Sequence, residues 1–161
     1  MQFTYSDFDN ALDYFEQRNF SEQSEKEFMS SFPNIFAYLT SNQFDALTED
    51  EFLILMFNST IIMKVFTDKI GRVIDPDQEL IDEIESDNWD EFEELDINNF
   101  EEKVMFMFGT EQEDIADYIL SSFDQGEDEE DEDNIEIGLP AKEIIFIAVK
   151  TVFDSLIESA E

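Results

Sequence analysis

Apolar residues return every three to four positions along most of this chain, and the polar residues between them read as helix starts and stops. Ser6 is placed to cap a first helix whose inward face is Phe8, Leu12 and Phe15, with Ala11 and Tyr14 flanking. Phe28, Met29 and Phe32 mark a second helical stretch. Pro33 breaks it and, because proline suits a first helical turn, restarts a short helix with Phe36 and Leu39 inward. Thr48 and Glu51 have the spacing of a capping box, so each can satisfy the other's free backbone N–H. The helix they open runs to about Ile70 and stops at Gly71. Phe52, Leu53, Ile54, Leu55, Met56, Phe57, Ile61, Ile62, Val65 and Phe66 cover nearly its whole circumference. That pattern predicts a buried central helix over about 49–70.

Asp75-Pro76 has the form of an N-cap followed by proline at the first helical position, and Leu80, Ile81 and Ile84 then form a narrow stripe. Ser86-Asp87-Asn88 can either end that helix and cap another carrying Trp89, Phe92 and Leu95, or lie inside one longer helix. Asn98 or Asn99 starts the next, with Phe100, Val104 and Met107 or Phe108 inward, and Gly109 ends it. Thr110 and Glu113 repeat the capping-box spacing before Ile115, Tyr118, Ile119 and Phe123, and Gly126 closes that helix. Pro140 opens a last helix with Ile144, Ile145, Val149, Val152, Phe153, Leu156 and Ile157 on one side. The β-branched run from Glu143 to Val149 also suits a buried strand. Helical spacing that persists to Ile157 favours helix. No repeat of fixed period is present. The pattern predicts an all-α fold, a single compact domain over 1–161 with about seven helices.

Composition then excludes several classes. The 161 residues are 42% hydrophobic and include 18 Phe, so the chain carries enough apolar surface to fold despite a net charge of −35. There is no Cys and no His, which removes disulfides, thiolate or imidazole metal sites, cysteine nucleophiles and the usual catalytic triads. Residues 1–7 carry no basic and no long apolar stretch of a secretory leader, and the longest apolar run, Phe52 to Phe66, is interrupted by Asn58-Ser59-Thr60 and Lys64. The expectation is a cytoplasmic protein with no membrane association. Direct nucleic-acid binding is not expected either, with 8 basic residues against 43 acidic ones.

The charge is concentrated. Residues 75–102 hold 14 acids and no base, and the loop at about 126–136 contains seven consecutive acids at 127–133. That loop, over 127–134, has nothing to pack and is expected to be mobile. A continuous helix over 75–102 would be about 42 Å long, giving one charge per roughly 3 Å. One strand of B-DNA carries a phosphate every ~3.4 Å. Solvated helices usually mix signs and gain from pairs of opposite charge at i, i+4, so a cation-free helix loses stability. Ordinary solubility needs only a few units of charge.

Catalytic chemistry has no foothold. Carboxylates are so numerous that no pair stands out as an acid–base couple, and Gly71, Gly109, Gly126 and Gly138 are too scattered for a phosphate-binding loop. Calcium-loop spacing fails from Asp75, where position 6 is Leu80, and from Asp131, where it is Glu136. No enzyme activity, cofactor or metal is expected.

These features predict a non-enzymatic acidic binding protein whose partner is a basic protein, itself nucleic-acid-binding. The expected partner face comprises Asp77, Glu79, Asp82, Glu83, Glu85, Asp87, Asp90, Glu91, Glu93 and Glu94, with Glu127, Asp128, Glu129 and Glu130 from the loop. Trp89 belongs to the core by default, and a second reading makes it an exposed anchor in the interface. Lys64, Lys69 and Arg72 are expected to pair with neighbouring acids. In charge, size and helical character the chain resembles the phage and plasmid anti-restriction and anti-CRISPR DNA mimics. The likeness is one of physical type, and no motif ties the chain to a family. Two alternatives use similar electrostatics: an immunity protein or antitoxin neutralising a basic nuclease toxin, and an accessory subunit or acidic chaperone in a multiprotein complex.

Overall fold

The computed structural model describes residues 2–18, 22–123 and 137–160. Eight α-helices occur among them: α1 (Tyr5–Glu16), α2 (Glu22–Met29), α3 (Pro33–Leu39), α4 (Glu49–Ile70), α5 (Gln78–Glu94), α6 (Phe100–Phe108), α7 (Glu113–Ser122) and α8 (Leu139–Ala160). Short 3-10 turns lie at Asn42–Phe44 and Thr110–Gln112, and no strand is present among the described residues. The all-α prediction holds, with eight helices in place of about seven. The acidic loop and Gly126 lie outside the described residues.

α8 is the axis of the fold and packs against both α4 and α5, while α1 lies on α4 and α3 on α5. Burial explains why the β-branched run at 143–149 is helical. From Ile145 to Phe153 every residue of α8 is buried, and a helix covered on all sides has no need of a polar stripe. α4 is the second buried rod, with Leu55, Ile61, Ile62, Met63 and Phe66 inaccessible to solvent; Leu53 near its start, 53% exposed, is the exception to the predicted apolar circumference. The Thr48–Glu51 capping box forms as predicted, and Gly71 closes α4 in the left-handed region at φ 81°.

Aromatic rings join the layers. Phe146 of α8 meets Phe92 of α5 at 6.1 Å, Phe100 of α6 at 6.0 Å and Phe108 of α6 at 5.8 Å between centroids. Phe3 meets Phe153 edge-on at 5.2 Å, and Phe8 stacks on Tyr118 at 4.4 Å.

Several helix starts differ from the prediction. Thr4, not Ser6, caps α1: its hydroxyl accepts from Asp7 N, and the Asp7 carboxylate accepts from Thr4 N at 2.8 Å. That box sets the start two residues earlier because burying Phe3 and Phe8 fixes the register. Thr110 and Glu113 form no second box. Thr110–Gln112 is a 3-10 turn, and the side-chain amide oxygen of Gln112 accepts from Phe3 N at 3.2 Å. Phe36, predicted inward, is 39% exposed, because Ile35, Tyr38 and Leu39 form the buried face of α3.

Asp75-Pro76 is the most instructive difference. α5 begins two residues later, at Gln78, after Asp77, whose side chain makes no capping bond. Asp75 instead accepts from Asn34 N at 2.9 Å and Ile35 N at 3.2 Å. Proline at the first position of α3 has no N–H to satisfy, so the next two free amides are the ones Asp75 serves.

Candidate acidic interface

α5 is one continuous helix through Ser86-Asp87-Asn88. Asn88 is buried and turned away from its own backbone, its amide donating to Thr151 Oγ1 of α8 at 3.2 Å, so it pins the helix instead of ending it. The inward stripe is narrow: Ile81, Ile84, Asn88 and Phe92, at the three- and four-residue steps of a single helix face. The other side is solvent. Ten positions from Gln78 to Glu94 are exposed, and they are Gln78, Ser86 and eight carboxylates: Glu79, Asp82, Glu83, Asp87, Asp90, Glu91, Glu93 and Glu94. Asp77, just before the first turn, is exposed as well. The helix ends at Leu95, and the chain runs non-helical to Asn99 before α6, so the acidic line of 75–102 breaks there and not at 86–88.

Of the residues predicted for the face, the structure therefore places Glu79, Asp82, Glu83, Asp87, Asp90, Glu91, Glu93 and Glu94 on the exposed side of α5, with Asp77 exposed just before it. Glu127, Asp128, Glu129 and Glu130 lie outside the described residues. Trp89 is half-buried at the margin of the face, edge-on to Phe92 at 6.1 Å. Its ring belongs to the packing under α5.

Glu85 stands apart, half-buried on the side facing α3. It accepts the hydroxyl of Tyr38, and Gln43, with its amide turned to satisfy both neighbours, donates to it at 2.9 Å and accepts from Ser41 at 3.1 Å. Burial pushes the Glu85 carboxyl above its ordinary value and the charge of Asp82 adds to this, against the hydrogen bonds from Tyr38 and Gln43. Burial likewise raises the Tyr38 hydroxyl, assisted by the Glu85 charge. No signal in the sequence joins Tyr38, Ser41 and Gln43 to Glu85; the contact exists only because α3 packs on α5.

The cost of this face is visible in α5 itself. Glu91, Glu93 and Glu94 crowd the carboxyl end, where the helix dipole disfavours negative charge, and no basic residue occupies the last turn. The nearest relief is Lys103 of α6, which donates to Phe92 O at 3.4 Å and lies 4.3 Å above the Phe92 ring. Other cations are spent elsewhere. Lys64 pairs with Asp68 at 2.7 Å, Lys69 with Asp7 at 2.9 Å and Lys150 with Asp154 at 2.7 Å. Lys64 and Lys69 thus pair as predicted, whereas Arg72 is exposed and forms no ion pair among the described residues.

Among the described residues no group of three or more acidic side chains is arranged to hold a metal ion. No described helix is long and apolar enough to cross a membrane. No protein-family model, curated protein or solved structure matches the chain.

Proposed function

We propose that the chain is a non-enzymatic binding protein whose α5 face docks on a strongly basic partner and occupies its nucleic-acid-binding groove. One observation carries the reading. Eight of the ten exposed positions from Gln78 to Glu94 are carboxylates, and no cation occurs anywhere from 75 to 102. The 17 residues of α5 extend about 25 Å, so these side chains repeat every ~3 Å along the axis, close to the ~3.4 Å of phosphates on a nucleic-acid strand. A rigid helix held by a buried stripe presents them without the entropy cost of ordering a tail. Carboxylates so arrayed would release counterions from a cationic groove as a nucleic acid does.

The test is charge removal without change of shape. With the partner identified by capture and mass spectrometry, Asp82, Glu83, Asp90, Glu91 and Glu94 are replaced together by their amides. Affinity should fall, the slope of log K against log salt should become shallower, and nucleic acid should compete with the parent chain for one site. Unchanged affinity in the amide variant overturns the reading. If Trp89→Ala abolishes binding in that event, the immunity-protein or subunit reading takes its place.

A further inference from the structure

Met105 and Phe106, side by side on α6, face solvent at 36% and 60% exposure. The other large apolar residues exposed on the described surface are Tyr5, Phe36, Leu53, Val73 and Leu139. They are scattered singly along the chain, and the Tyr5 hydroxyl is engaged by Asp117. Single exposed apolar residues are ordinary, whereas two in one turn of one helix call for a cover. We propose that Met105 and Phe106 are the apolar anchor that seats the acidic protein on its basic partner, entering a pocket ringed by lysine and arginine side chains. The inference rests on the acidic-face reading and adds to it a site of close packing.

The fold itself has little use for these two side chains. α6 already buries Val104, Met107 and Phe108, and Phe100 packs against the core. On its outward side the first turn carries Glu101 and Glu102, and the last turn carries Met105 and Phe106. Phenylalanine is a poorer helix former than glutamate or lysine, and a ring left mostly in water recovers little of its transfer energy. Trp89 is the weaker candidate for the anchor, because its ring is half-buried and already set edge-on to Phe92.

The surroundings decide the occupant. Glu101 lies one turn before Met105 and Glu102 one turn before Phe106, and Glu111 is exposed beyond the end of the helix. Lys103, the one cation of α6, is turned to Phe92 and so fastens the helix to the carboxyl end of α5. The apolar pair is thus edged by acids. A second copy of the chain would set −35 against −35, and an anionic lipid surface would be repelled as well. Lysine and arginine meet both demands at once: their charged ends pair with the rim, and their methylene stems cover the ring. Lys103 makes the same kind of contact inside the fold, above the Phe92 ring.

The test uses the full chain and two model ligands of equal charge. One is a helical peptide of lysine and leucine, and the other carries alanine in place of leucine. Both residues are strong helix formers, so the peptides differ in apolar reach alone. The parent should bind the leucine peptide about tenfold or more tightly than the alanine peptide. With isotope-labelled methionine methyl groups, the Met105 signal should shift on adding the leucine peptide while buried Met29 and Met63 stay in place. That readout needs no variant. Met105→Ser and Phe106→Ser together should abolish the preference, and the α5 amide variant should bind both peptides more weakly while keeping their ratio. Equal binding of the two peptides by the parent, a still Met105 signal, or a preference that survives the double serine variant overturns the inference. So does a preference lost in Trp89→Ala and kept in the serine variant, which moves the anchor to Trp89. If the amide variant binds both peptides as tightly as the parent while the serine variant loses the preference, the anchor stands and the acidic-face reading fails.

Discussion

Two carboxylates in this fold answer pH in opposite directions. Burial alone would raise the Asp7 carboxyl, but the Lys69 pair and the Thr4 hydrogen bonds hold it below its ordinary value. Glu85 is shifted up, because burial and Asp82 outweigh its neutral donors. The fold therefore favours charged Asp7, whose contribution is present above the unfolded value and is lost as pH falls through its depressed one. It favours neutral Glu85, whose contribution is full below the ordinary value of 4.5 and is lost as pH rises through its elevated one. Glu85→Gln should accordingly gain on the parent as pH rises from about 4.5 toward neutrality, with urea midpoints across that range as the measurement. A gap that stays constant with pH would show that Glu85 is ionised at no cost in the fold. Individual residues were legible in the sequence only where the physics is local. Thr48 and Glu51 serve each other three residues apart, so their spacing sufficed. Asp75 has an equally plain local signature and works instead on Asn34 and Ile35, because tertiary packing brings α3 to it.

At the scale of the helix, burial on all sides and charge on one side both leave clear traces in a sequence. The extent of α4 follows from its apolar positions and the acidity of α5 from its composition, whereas the one-sided face predicted for α8 left out Phe146, which is buried because that helix is covered all round. The grouping of Glu85 with Tyr38 and Gln43 does not follow from the sequence, since the two segments lie far apart in the chain and neither carries an unusual pattern. Nor does the role of Trp89, whose half-burial depends on where Phe92 settles. What attaches the acidic helix to the rest is the cluster of rings around Phe146, which binds α5, α6 and α8 at once. Phe146→Ala should cost about 3–5 kcal/mol in denaturant unfolding, at the upper end for a buried aromatic truncation. A cost below about 1 kcal/mol would mean that α5 is held mainly by its aliphatic stripe and the Asn88–Thr151 bond.

For the molecule as a whole, a net charge of −35 sets every exposed acid against its neighbours. Added salt screens that repulsion over about 10 Å at 0.1 M, so the melting temperature should climb between low and moderate ionic strength. A melting temperature flat over that range would show the acids to be well separated in space. The tie between the two ends of the fold bears on something different, the order in which it can be built. Phe3 N is bonded to Gln112, Tyr5 N to Asp114 at 3.3 Å, and Asp7 to Lys69. α1 and the residues before it thus have partners in segments synthesised much later. Closing such long loops is slow because their entropy is lost before any contact repays it. During translation, Phe3 and Phe8 must wait in the open for Phe153 and Tyr118 of the second half, held apart from other nascent chains by the same negative charge that burdens the finished fold.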